Sequence, residues 1–182
     1  MNGINLEQEK ELIALCKTDL SHFNDLYKAF MPDVYRYCYS KLGNKSESED
    51  VTSQTFLSAL ENIQNYIFKD KSIKCWLFII ARNIIYKGYR KPETIEFDET
   101  WQAAEDDNIL DVIADKELLS KIEQFIKTCK PPVPEIVRLK IWEEMTFDEI
   151  AQILNISLSS AKMSYYRSMG KVNELFGKEV IS

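Results

Sequence analysis

Between Pro92 and Asp115 the chain carries nine acidic residues and no basic one. Nine like charges cannot enter a packed core, because each buried, unpaired charge costs several kcal/mol or more. The segment opens on a proline that ends any preceding helix, and it shows no helical period before Asn108. It therefore reads as an acidic flexible linker over 92–112. The 182-residue chain is divided into an N-terminal domain, 1–91, and a C-terminal domain, 113–182, each building its own core. Residues 1–91 carry a net charge of +2 and residues 116–182 a net charge of +1, so the overall −6 belongs to the segment between them. The chain's pI of about 5.0 describes neither flank.

Both flanks read as helical. Glycine and proline number five each and alternating β-branched runs are weak, which argues against an all-β fold. The fold class expected is all-α: two small helical domains, the second containing a helix-turn-helix. In the first, apolar residues recur at helical spacing over Leu6–Lys17, with Leu6, Ile13 and Cys16 on one stripe. They recur again over Ser21–Ser40, where Pro32 predicts a break or kink. Gly43-Asn44 predicts a stop. Ser46 and Glu49 have the spacing of a capping box for a helix to about Asn62. A last helix runs from Ser72 to about Arg90. In the second domain, helices are expected over Asp115–Cys129, from Pro134 to about Trp142, over Phe147–Leu154 behind a Thr146/Glu149 capping box, and over Leu158–Phe176 behind Ser157.

Three stretches could carry function. MTFDEIAQILNISLSSAKMSYYRSM, Met145–Met169, has the parts of a DNA-reading helix-turn-helix. Ala151 is small where the second helix crosses. Asn155 tolerates positive φ at the turn. Ile150, Leu154, Ile156 and Ala161 fix the crossing. The second helix would enter the major groove by its N-terminal end. Ser159 and Ser160 would offer free backbone N–H groups to a phosphate, and Lys162, Met163, Tyr166 and Arg167 would face bases or backbone. An ordinary helical hairpin with a solvated polar face has a similar pattern. In SIKCWLFIIARNIIYKGYRKP, Ser72–Pro92, the second half interleaves tyrosines with cations, as surfaces for single-stranded nucleic acid do. A solvated helix end, with cations at the negative end of the dipole, reads the same way. SESEDVTSQTFLSALENI, Ser46–Ile63, crowds polar residues near its start; alone it is a capped core helix.

Other functions are disfavoured. Cys16, Cys38, Cys75 and Cys129 are scattered without a CxxC pair and His22 is the lone histidine, so no metal site is expected. The thiols read as reduced and mostly buried in a cytosolic protein. No Gly-rich phosphate loop or nucleophile–base arrangement is present, so no enzyme activity and no cofactor are expected. The start, MNGINLEQEKEL, lacks the pattern of a signal peptide. The longest apolar run, Cys75–Ala81, is closed by Arg82 and is too short to insert in a membrane.

Taken in order and spacing, SESEDVTSQTFLSAL, CWLFIIARNIIYKGYRK and the helix-turn-helix resemble the sigma factors of bacterial RNA polymerase, in their extracytoplasmic-function group. The resemblance covers roughly residues 20–91 and 113–176. Its most specific strings are W-L-x-x-I-A-R-N at Trp76–Asn83 and E-I-A-x-x-L at Glu149–Leu154. It implies a cytoplasmic transcription initiation factor that binds core RNA polymerase, directs it to a two-element promoter and helps melt the −10 region. By its match, Asp50, Thr52, Ser53 and Phe56 are candidates for binding the core enzyme. Arg82, Asn83, Tyr86, Lys87 and Arg90 are candidates for the −10 DNA. Ser159, Ser160, Lys162, Met163, Tyr166 and Arg167 are candidates for the −35 duplex. An anti-sigma protein is a further candidate partner.

The chain departs from the family pattern at three places. Lys87 stands where Asp is usual, and Ser53 where Gln is frequent. Ser159-Ser160-Ala161-Lys162-Met163-Ser164 replaces the common Gly-Thr-Val-Lys-Ser-Arg. Promoter specificity is therefore not carried over. The alternatives are a free-standing helix-turn-helix regulator, and a helical protein that binds core polymerase without promoter use. A regulator acting alone would have to obtain its DNA affinity from a nearly neutral reader domain, although phosphate neutralisation supplies much of such affinity.

Overall fold

The computed structural model describes residues 4–69, 71–88 and 116–176. Among them every regular element is helical. The chain divides into two compact units, Met1–Pro92 and Glu93–Ser182.

The first unit begins with α1, Leu6–Thr18. Asn5 and Gln8 cap it reciprocally, each side chain accepting from the other's backbone N–H at 2.9 Å, which satisfies two otherwise orphaned donors. After a 3-10 turn at Leu20–His22, α2 runs from Phe23 to Leu42. It is continuous through Pro32, where the sequence predicted a break or kink. Pro32 is exposed, whereas Phe30 and Val34 on either side are buried on the core face. That burial outweighs a proline's cost inside a helix, about 3 kcal/mol. Gly43, at φ +64°, ends α2 by donating its N–H to Tyr39 O at 2.9 Å. The helix α3, Lys45–Asn62, starts earlier than expected: the cap is Asn44, whose side chain accepts from Glu47 N at 3.1 Å. The Ser46/Glu49 box is not the start signal, because both residues already lie inside the helix.

A second 3-10 turn, Ile63–Asn65, leads towards α4, Ile73–Gly88. Asp33 pairs with Lys74 at 3.8 Å, and Tyr37 stacks on Phe78 with centroids 4.5 Å apart. Both partners advance by four residues, so α2 and α4 run in the same direction, with α3 returning between them. Leu26, Val34, Cys38, Val51, Ala59, Ile63, Leu77, Phe78 and Ala81 form the core. On α1, Ile13 and Cys16 are buried as expected, but Leu6 is not; Glu9 occupies the third buried position of that stripe.

The second unit contains α5, Lys116–Lys127, α6, Val133–Ile141, α7, Phe147–Leu154, and α8, Leu158–Phe176. Its core joins Leu118, Ile122, Ile126, Ile136, Leu139, Ile150, Leu154, Ala161, Tyr165 and Val172. Thr146 and Glu149 form the expected capping box of α7. Asn155 ends α7 in the left-handed region, φ 56° and ψ 50°. The following Ile156 N–H reaches Ala151 O at 3.0 Å, which closes a Schellman-type turn and sends α8 across α7. Among the described residues no helix is long and apolar enough to cross a membrane, and no group of three or more His, Cys, Asp and Glu is placed to hold a metal ion.

Candidate nucleic-acid interface

The α4 helix buries Ile73, Cys75, Leu77, Phe78 and Ala81, and its exposed polar side chains lie in its second half. Arg82, Asn83, Tyr86 and Lys87 follow at i, i+1, i+4 and i+5, so they share one face. Asn83 and Lys87 are exposed, Arg82 and Tyr86 half-buried. The Arg82 guanidinium lies over the Tyr86 ring, 4.5 Å from its centroid. Such a pair, worth about 0.5–1 kcal/mol at an exposed site, holds a cation and an aromatic plane in one fixed relation. Arg90, the fifth candidate, lies outside the described residues, as does the acidic segment expected to be a linker.

The four α3 candidates do not share a surface. Thr52 and Phe56 are 4% and 3% exposed. The Thr52 hydroxyl donates to Ser48 O at 2.7 Å, and Phe56 packs edge-on against Phe23 and Tyr27. These two are core residues that hold α3 against α2. They cannot touch a partner without unpacking. Asp50 and Ser53 do face outward, Asp50 accepting from Gln54 Nε2 at 2.8 Å. The outward face continues through Leu57, an apolar residue 57% exposed, and it borders Tyr27, 38% exposed. Leu57 stands seven residues after Asp50. That helical spacing to an exposed leucine was the available sequence signal.

In the second unit the start of α8 differs from expectation in one respect. The Ser160 N–H is not free; it donates to Ser157 Oγ at 3.1 Å, because Ser157 caps the helix. The Ser157 hydroxyl also donates to Ser160 Oγ at 2.7 Å and lies 3.0 Å from Ser159 Oγ. A phosphate would therefore meet a hydroxyl cluster in which the Ser160 amide is already engaged. Ser159, Met163 and Arg167 lie on the side of α8 opposite its buried residues, Ser159 exposed and the other two half-buried, with half-buried Lys162 and Tyr166 on the adjoining flank. Tyr166 is fixed there by Phe147 at 5.7 Å and Tyr165 at 5.6 Å between centroids. Lys140 of α6 lies 4.8 Å from the Phe147 centroid, so an α6 cation joins the flank that carries Tyr166. The sequence pattern did not single out Lys140; only its position before the helix-turn-helix signalled it.

Burial raises the Cys38 thiol to about 11 and also pushes Cys16 and Cys129 up, which favours the protonated thiol over the thiolate.

The sigma-70 region 2 family matches residues 26–94, which run from the first turn of α2 through α3 and α4. The chain is 27% identical over 171 residues to the extracytoplasmic-function (ECF) RNA polymerase sigma factor SigW of Bacillus subtilis, covering 87% of this chain and 91% of SigW. The chain is similar in sequence to ECF-group sigma factors of the sigma-70 family. It is also 27% identical over 156 residues to the ECF sigma factor BldN of Streptomyces coelicolor. That match covers 81% of this chain and 57% of BldN, so the chain spans just over half the length of that relative. Among solved structures, CnrH in complex with the cytosolic domain of CnrY shares the fold, with a TM-score of 0.63 at 17% identity over 92% of this chain and 96% of that one. These named relatives are regulators of transcription rather than catalysts.

Proposed function

We propose that this chain is a sigma factor that binds core RNA polymerase, recruits it to a two-element promoter and helps open the −10 region, acting in the cytoplasm without covalent chemistry of its own. One observation carries the reading. A cation–aromatic face on α4 and a capped helix-turn-helix occur in one chain, aligned over most of its length with a polymerase sigma factor.

In this reading Arg82, Asn83, Tyr86 and Lys87, extended by Arg90, contact the −10 DNA as it melts. Exposed bases stack on the tyrosine plane, and the cations follow the phosphates. Ser159, Lys162, Met163, Tyr166 and Arg167, with the Ser160 hydroxyl, read the −35 duplex. Asp50 and Ser53, continued by Leu57, meet the core enzyme, while Thr52 and Phe56 serve by holding α3 in place. Residues 1–91 form the core-binding and −10 domain and 113–182 the −35 domain, with 92–112 between them. An anti-sigma protein that covers these surfaces is the natural inhibitor. A nearly neutral DNA reader is adequate here because the polymerase supplies most of the DNA affinity.

The test separates binding from melting. Arg82→Ala and Asn83→Ala should each abolish permanganate-reactive open complexes at a target promoter, while capture of core polymerase stays at the wild-type level. Loss of core capture together with melting would place these residues in the fold rather than on DNA.

A further inference from the structure

The first turn of α4 contains no acidic residue of its own, although the N-terminal end of a helix favours negative charge and leaves its first N–H groups without partners. The missing carboxylate comes from α1. Glu9, only 5% exposed, accepts from the backbone N–H of Ile73 at 2.8 Å through Oε2 and from the Ser72 hydroxyl at 3.0 Å through Oε1. Ser72 in turn accepts from Lys74 N at 3.2 Å. The connection ahead of α4 is tied to the same helix: Lys17 Nζ donates to Tyr66 O, and Gln64 Nε2 donates to Lys17 O at 3.0 Å. Beyond it, the Tyr66 ring lies against Trp76, 4.6 Å between centroids.

We infer that Glu9 is a positioning residue for promoter opening: it caps α4 from another helix and fixes the residue at which α4 begins. The inference rests on the assignment of α4 to the −10 DNA. Consecutive residues of a helix are rotated by about 100° and raised by about 1.5 Å. A first turn that frays or restarts one residue away therefore carries a rotational error into the helix that presents Arg82, Asn83 and Tyr86. Buried Ala81 and Ile85 resist that rotation from the far end, and Glu9 resists it from the near end. A carboxylate is suited to the task because it satisfies a backbone donor and a hydroxyl at once, and its charge opposes the helix dipole.

The experiment compares Glu9→Ala, Glu9→Gln and Ile13→Ala in the full chain with core polymerase. Ile13 is a buried residue one turn further along α1, and its truncation serves as a destabilising control. Amide exchange should show Ile73 losing protection in Glu9→Ala but not in Ile13→Ala. At a temperature where all variants remain folded and capture core equally, Glu9→Ala should form open complexes about tenfold more slowly, the scale expected for losing a charged buried acceptor. Glu9→Gln, which keeps one acceptor oxygen, should recover part of the rate, and Ile13→Ala should match wild type. Equal opening by Glu9→Ala and wild type would overturn the positioning role while leaving the sigma-factor reading intact. Equal slowing by Ile13→Ala would reduce it to general stability. A wild-type chain that captures no core and opens no promoter would overturn the reading beneath it, and the inference with it.

Discussion

Tyr165 shows how one residue of a reading helix can be set by packing rather than by recognition. Its ring fills the second core, 1% exposed, and its hydroxyl has no hydrogen-bond partner among the described residues. Burial, with a smaller contribution from neighbouring Tyr166, raises that hydroxyl to about 12. An unfolded tyrosine titrates near 10, so the folded state holds this proton more tightly. The resulting stability is complete below pH ~10 and is lost as pH rises through about 12. Tyr165→Phe should therefore leave the melting temperature at neutral pH unchanged or slightly higher, since an unsatisfied buried group is removed. It should also lessen the loss of stability between pH 10 and 12, followed by urea melts. A marked drop at pH 7 would show that the hydroxyl is bonded after all. The same logic separates the α3 candidates. Thr52 and Phe56 matched the family motif by type, but helical spacing already set Phe56 on the apolar face with Val51, Thr55 and Ala59. Motif alignment marks which residues a fold needs without saying which of them a partner touches.

At the scale of elements, most of the helices were legible because their ends are chemically marked. Gly43, the Thr146/Glu149 box, Asn155 and Ser157 each act as their chemistry predicts. The failures came from competition. Asn44 outcompeted Ser46 as the α3 cap because its side chain reaches the Glu47 amide at the helix's true start. Pro32 failed to interrupt α2 because buried apolar residues flank it. The Glu9 cap could not be read from neighbouring residues at all, since its partners lie more than sixty positions away; the one hint was a carboxylate at the buried spacing of Ile13 and Cys16. The turn between α7 and α8 gives a direct test. Asn155 stands at φ 56°, a region that costs residues with a Cβ roughly 1–2 kcal/mol and a β-branched one at least as much. Asn155→Val should lower the stability of the second unit by about 2 kcal/mol and weaken use of the −35 element, whereas Asn155→Gly should be tolerated. Equal melting of the two variants would mean that the turn is remade without positive φ.

For the whole molecule, the acidic block made two helical domains the natural expectation, and the helices on either side bear out the all-α class. The composition alone would have suggested an acidic protein unsuited to DNA. The distribution of charge reverses that conclusion, because each flank carries its cations on particular helix faces: Arg82 and Lys87 on α4, Lys162 and Arg167 on α8. What the sequence could not specify is the promoter. Met163 and Ser164 alter the reading helix, and Lys87 puts a cation where the family usually has a carboxylate. Sequencing RNA 5′ ends would show whether this chain makes core polymerase start at defined sites. Purified protein and sigma-free core polymerase would transcribe fragmented DNA from the source genome. The proposed function requires discrete start sites sharing two upstream motifs, which vanish with Arg82→Ala. A stable complex with core that yields no discrete starts would contradict it.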